Sequence, residues 1–497
     1  MDHVHDVELS ARPLGIGVWG LLMRSRILAI GIMALVLALV LAGCGQEPTK
    51  IRVTVGMWPE PYLREDVAMF EEWKRLFEAD YPQYEIVGVP YTYSPDTFFP
   101  MAQSGQTPTV FQTWFTEPQK LIDNGFVRDI TAQLQQLGWY DKMDPVMREM
   151  LSRDGKVYGV PRDGYGLGLL INLQIFEEVG LVDDWNGDGI LDIHGPDGSP
   201  RYPTTFQELA ETARYISETM RDQFEREVAG LIILSANNTG GWQFSNIAWN
   251  FGARLQVQDA DGRWVANLNA PEAVEALEWI KELRWEAGAL PASTSLTYSD
   301  WYSYIGTGRA AMAFVGSDAI ALPVTNFGMD RDLLAFVPMP AGPRGHRYAL
   351  FGGTPFMFAA NATDEQVMGA LRFLEYMGRS PETSPVALSS LRRGMKTAID
   401  KGMPILPEIR PWVNEEYRAA AREIEAQYAN VYMPNFQDFY DLLPVMRRPE
   451  EPHYTQEMYE ILDAVIQQVL ADPNANPAAL LTSANNTFQT HYLSKLR

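Results

Sequence analysis

The run Asp184-Trp-Asn186-Gly-Asp188-Gly189-Ile190-Leu-Asp192 has the spacing in this chain best suited to chemistry. Oxygen-bearing side chains fall at loop positions one, three, five and nine, glycine at six permits a sharp turn, and the Ile190 carbonyl sits at seven. Hard calcium takes six to eight such oxygens. Position twelve is Gly195 where a bidentate Glu would be needed, so no helix–loop–helix pair is implied. Asp197 or a distant carboxylate would have to complete the shell. An exposed Asx-turn loop has the same composition. The spacing predicts a structural calcium pinning the stretch between Leu181 and Thr205, not a catalytic ion.

Catalytic residue types are scattered. Beyond the N-terminal leader lie His194, His346, His453 and His491, and none forms a His-Glu-x-x-His pair or neighbours another at ligand spacing. No Gly-x-Ser-x-Gly elbow and no Gly-Lys-Ser/Thr phosphate loop occur. Gly306-Thr-Gly308-Arg-Ala-Ala311 fits a loose dinucleotide fingerprint, but a strand-like Ala-Met-Ala-Phe-Val follows it where a helix is required. Paired carboxylates for glycoside hydrolysis have no fixed spacing. They keep one enzymatic alternative open: a secreted, calcium-dependent carbohydrate-active enzyme.

The elements that must position any site belong to a chain of 497 residues, 46% hydrophobic and 21% charged, which is a globular composition. Length alone suits roughly three domains of ~150 residues, or one large two-lobed protein. With 40 basic against 63 acidic residues the net charge is −23, which repels nucleic acid and anionic lipid. The single cysteine excludes a disulfide framework. Arg24 and Arg26 precede an uncharged run from Ile27 to Gly43 that ends Leu-Ala-Gly-Cys44, a secretory leader whose ending resembles the bacterial lipobox. Residues 1–43 are therefore expected to be removed, with Met23 an alternative start, and Cys44 to be lipidated. Residues 44–50 then form a tether, and the mature protein is extracytoplasmic, on the outer face of the membrane.

The mature chain alternates strands and amphipathic helices, an α/β pattern. Ile51–Val55 and Glu85–Val89 read as strands, and Val67, Phe70, Trp73 and Phe77 mark a helix ending before Pro82. Thr205 to Glu208 forms a capping box ahead of Leu209, Ala213 and Ile216. Pro271 opens a helix that Gly288 closes. Ala311–Val315 is a strand, Thr363 to Gln366 caps another helix, and beyond about residue 400 the pattern is mostly helical.

Several segments, in order, resemble those of bacterial extracellular solute-binding proteins of the family-1, maltose-binding-like type, the receptors of ABC importers. They are Pro108-Thr-Val-Phe-Gln-Thr-Trp114, Val157-Tyr-Gly-Val-Pro161, Leu169 to Phe176, Gly308-Arg-Ala-Ala-Met312 and Tyr202-Pro-Thr-Thr-Phe-Gln-Glu-Leu209, with Phe206 where that family carries tryptophan. The resemblance implies two α/β lobes of discontinuous chain closing on a ligand: 50–162 with 318–360, and 163–317 with 361–497. It implies a non-enzymatic receptor that hands a sugar or oligosaccharide to permease subunits. Ligands in such sheets lie beyond the carboxyl ends of strands. Aromatics there, namely Trp58, Trp114, Tyr165, Trp242 and Trp301, are candidate platforms for sugar rings. Asp163, Asn237, Ser317 and Asp318 are candidates for the hydroxyls, and Gly353 for close backbone approach.

Overall fold

The computed structural model describes residues 49–496; the leader, the lipobox and Cys44 lie outside the described residues. Nine strands form one continuous path: β1 (Ile51–Trp58), β2 (Tyr84–Pro90), β3 (Val110–Gln112), β4 (Gly159–Asn172), β5 (Ala229–Ile232), β6 (Ala310–Gly316), β7 (Leu334–Pro338), β8 (Ala349–Phe358) and β9 (Arg447–Pro449). Their order is β2-β1-β3-β8-β4-β6-β5, with β7 also on β4 and β9 on β8.

One long strand serves two sheets. The first half of β4 pairs with β8 (Gly159 with Met357, Gly166 with Phe351), and its second half lies between β6 and β7 (Leu169 with Phe314 and with Val337). Leu167, Leu169, Leu170 and Ile171 are fully buried, the unbroken apolar run of a strand covered on both faces. The first sheet, β2-β1-β3-β8-β4, carries helix α1 (Arg64–Asp80), whose Phe77 meets Phe373 and Tyr376 edge-on. The second, β5-β6-β4-β7, is covered by α2 (Phe206–Phe224), α3 (Thr239–Phe251) and α4 (Pro271–Trp285).

The Asp163-Gly-Tyr-Gly-Leu-Gly168 stretch of β4 has a steric reason. A Cβ at Gly164 would stand 2.5 Å from the Met147 methyl, and one at Gly168 would stand 2.6 Å from the Phe336 ring. Side chains alternate across a strand, so the glycine face takes its neighbours' bulk and Tyr165 is left on the other.

The expected helices and strands are present, including the Thr205/Glu208 and Thr363/Gln366 capping boxes and Pro271 at the first turn of α4. The lobe bounds need two corrections. β7, within 318–360, pairs with the second half of β4, so it belongs to the second lobe. Helix α5 (Asp364–Tyr376), within 361–497, supplies Phe373 and Tyr376 to the α1 core, so it belongs to the first. Strand pairing decides the first and aromatic packing the second.

Candidate functional site

The cleft opens where β4 leaves one sheet for the other, at the carboxyl ends of β3 and β6. A cavity of about 580 Å³ there is bounded by Gln112, Arg162, Asp163, Ser317 and Asp318, and by the Met403–Ile409 strap. The strap is tied to β4, because Gly164 N donates to the Ile409 carbonyl at 3.1 Å. The Arg162 guanidinium holds Asp163 at 2.6 Å, and Thr354 N donates to the other oxygen of that carboxylate at 3.3 Å. Ser317 Oγ accepts from Gly166 N at 3.3 Å. The Asp318 carboxylate stays open to cleft water, yet the protein around it, with Asp163 adding repulsion, pushes its pKa up to about 6.

Beside Asp318 stands an aromatic shelf. The Trp242 indole donates to the Tyr165 hydroxyl at 3.2 Å, the two rings meeting edge-on at 6.1 Å, and Trp242 also packs 6.2 Å from Tyr298. Trp242 is fixed from behind. Asp463, nearly buried, accepts from Asn238 N at 2.6 Å and Gly241 N at 2.7 Å and so holds the first turn of α3. At the far end of the Tyr165 ring lies Glu450, just after β9, whose Oε1 accepts from the Tyr459 hydroxyl at 2.9 Å. Burial, with Glu117 adding and Tyr459 opposing, pushes the Glu450 carboxyl up to about 8. Glu117, itself buried, accepts from Tyr93 at 2.7 Å; burial raises its pKa while Lys120 pulls it down.

Asp163, Ser317 and Asp318 thus line the cavity, and Tyr165 and Trp242 pack beside Asp318, with Trp242 itself only 9% exposed and joined to the core of the second lobe. Trp114, following β3, is 41% exposed and edge-on to Tyr93 at 5.3 Å. Asn237 is exposed in left-handed backbone (φ 54°) just before α3. Three expectations are corrected. Trp58 is 9% exposed, packed edge-on to Phe70 at 5.1 Å with its indole filling the space above Gly88, so it is core. Trp301 is fully buried in the second lobe. At Gly353 a Cβ would meet the Asp163 carbonyl and the Phe115 ring, so its bareness serves the strand crossing rather than a ligand. Glu117, Tyr298 and Glu450 were missed. Only the acid doublet of Arg447-Arg-Pro-Glu-Glu-Pro452 offered a signal for Glu450, and it reads equally as an exposed turn.

The loop expected to hold calcium engages its side-chain oxygens internally. Among the described residues no three His, Cys, Asp or Glu side chains are grouped to hold a metal ion. The carboxylate of Asp184 accepts from Gly187, Asp188 and Gly189 N, Asn186 Oδ1 from Asp188 N, and Asp188 Oδ1 from Ile190 N. Asn186 Nδ2 donates to Asp192 at 3.3 Å, and an Arg201–Asp183 ion pair closes the base. Asx turns hold the loop with its own N–H groups.

Comparison with known proteins agrees with this geometry. The family model for bacterial extracellular solute-binding proteins matches residues 72–388, and the chain belongs to that family. It is a solute receptor and not an enzyme, which sets aside the carbohydrate-active alternative. Comparison with curated protein sequences finds no match. Solved structures share the fold. The maltose-bound MalE3 of T. maritima has a TM-score of 0.61 at 17% identity, over 88% of this chain and 98% of that one. A solute-binding protein of Thermotoga lettingae bound with α-D-tagatose reaches 0.64 at 16%, over 89% and 99%. UgpB from Mycobacterium tuberculosis, in complex with glycerophosphocholine, reaches 0.64 at 15%, over 90% and 98%.

Proposed function

We propose that this protein is the lipid-anchored, extracytoplasmic receptor of an ABC importer, and that it binds a sugar or short oligosaccharide between its lobes for delivery to the permease. The observation that carries the reading is the shelf of Tyr165, Trp242 and Tyr298 at the strand crossing, with Asp318 and Glu450 at its two ends. Apolar sugar faces lie on such rings while carboxylates engage the hydroxyls. Sugars named with MalE3 and the T. lettingae protein support the same class. The cavity of about 580 Å³ that adjoins this shelf is lined by Asp163, Ser317 and Asp318 rather than by the three rings, and its volume is within the ~300–1,000 Å³ usual for small-ligand sites.

The test is a thermal-shift screen of saccharides followed by calorimetry and solution scattering. Binding without turnover, with a smaller radius of gyration at saturation, is expected from lobes that close on solute. Product formation, or binding with an unchanged radius, refutes the reading. For the anchor, Cys44→Ser should move the protein from the membrane fraction to the medium.

A further inference from the structure

The cleft carries more carboxylate than the chain neutralises. Arg162 is spent on Asp163, and the cation facing Glu117, Lys120, is paired with Glu457. Among the described residues neither Glu450 nor Asp318 has an ion-pair partner; Glu450 Oε1 has only the Tyr459 hydroxyl. Both acids border one ring. A Cβ at Gly352 would stand 2.5 Å from the Tyr165 hydroxyl and 2.9 Å from Glu450 Oε2. One at Gly316 would stand 2.5 Å from Asp318 Oδ1 and 3.2 Å from the base of the same ring. The two acids therefore pack at opposite ends of one aromatic ring, each filling the space that a glycine's missing Cβ leaves. A net charge of −23 draws cations toward the mouth.

Resting on the sugar-receptor reading, we propose that the solute is an amino sugar, with its protonated amine seated over the Tyr165 ring between Glu450 and Asp318. The carboxylates supply the counter-charge, and the rings of Tyr165 and Trp242 supply cation–π attraction, effective within ~6 Å of a centroid. A neutral sugar would leave both acids unpaired.

The two readings differ in how binding depends on pH. Glu450 faces Tyr459 on the helix after it, Tyr165 on β4, and Glu117 backed by Lys120. The tyrosines stay neutral below pH 8. With Glu450 near 8, the free cleft holds that group's proton at pH 6, and an ammonium expels it. Affinity for an amine should then rise by up to ~tenfold per pH unit between about pH 5.5 and 7, with proton release visible as a buffer-dependent heat. A hydroxyl accepting from a neutral Glu450 gives a flat profile.

The experiment titrates the protein with di-glucosamine, its N,N′-diacetyl counterpart, cellobiose, maltose and choline. The proposal expects di-glucosamine to bind at least tenfold tighter than the acetylated dimer, with that ratio falling toward one in Glu450→Gln. Equal or reversed affinities, or a flat pH profile, overturn the amine while leaving a sugar receptor standing. Choline binding with no saccharide bound keeps the ammonium site and overturns the sugar. Binding of none of the five overturns both readings.

Discussion

Glu450→Gln should stabilise the ligand-free protein by an amount that grows as pH rises from about 4.5 to about 8. The unfolded carboxyl titrates near 4.5, whereas the folded one is pushed up to about 8. Between these values the folded state holds a proton that the unfolded chain has lost. Stability is therefore fully present below about 4.5, falls as pH rises, and stops falling above about 8. A tenfold difference in acid strength between the folded and unfolded carboxyl is worth ~1.4 kcal/mol, so the ceiling is about 5 kcal/mol. Water reaches this side chain through the open cleft, which screens the penalty to about 2 kcal/mol. For a chain of this size, with ~2 cal/mol/K of unfolding entropy per residue, that raises the melting temperature by about 2 °C. Glutamine keeps an acceptor for the Tyr459 hydroxyl and cannot ionise. Scanning calorimetry should show variant and wild type melting together at pH 5, with the variant about 2 °C higher at pH 8.5. A difference that does not vary with pH, or one that opens on acidification, would refute the reasoning.

The corrected roles of the tryptophans predict opposite phenotypes. Trp58→Ala should cost about 3 kcal/mol of stability with less than threefold change in solute affinity, whereas Trp242→Ala should weaken binding about thirtyfold, near 2 kcal/mol; a swap of these outcomes restores Trp58 to the site. Because the 184–192 loop is held by its own N–H groups, a chelator should leave the melting temperature unchanged, and a fall of several degrees would reinstate calcium. Across the cleft, Gln456 donates to Thr116 at 3.0 Å and accepts from Asn238 at 3.1 Å, beside the Lys120–Glu457 pair. Gln456→Ala removes about 1 kcal/mol of this clasp, so solute affinity measured by calorimetry should drop about fivefold, and an unchanged affinity would show that the clasp does not bias closure.

Elements with strong local rules were legible in the sequence. A capping box at Thr205, proline at the first turn of α4 and the β-branched run of β1 each state their structure within a few residues. The loop beyond β6 was legible too, because strand ends in α/β folds are where loops gather, and Ser317 and Asp318 sit there, whereas Asp163 and Tyr165 lie inside the long strand β4. Trp58 and Trp301 were misplaced for a different reason. Each follows a strand or begins a helix, but whether its ring faces the cleft or the core depends on what lies opposite, here Gly88 and the Phe336 side of the second lobe. No local pattern contains that. The 184–192 loop shows the same ambiguity in polar form, since the oxygens that suit calcium also suit backbone N–H groups two to five residues on.

Glu450 was the least legible residue because its environment is assembled from the whole chain. β9 brings it beside β8, Gly352 leaves it room, Tyr165 comes from the crossing strand, Tyr459 from the helix beyond and Glu117 from the other lobe. In isolation it is one of many acids; folded, it is a carboxylate with no cation. Burying such a group costs stability unless it is paired or protonated, and a fold under no other constraint would replace it with an amide or move a lysine close. Here the penalty falls at the one place where a bound solute can cancel it. Any ligand that supplies the missing hydrogen bonds or charge recovers as binding free energy what the empty cleft forgoes as folding free energy. The pH dependence of stability in the empty protein and the pH dependence of affinity in the loaded one therefore read the same carboxyl, and they must change together in Glu450→Gln.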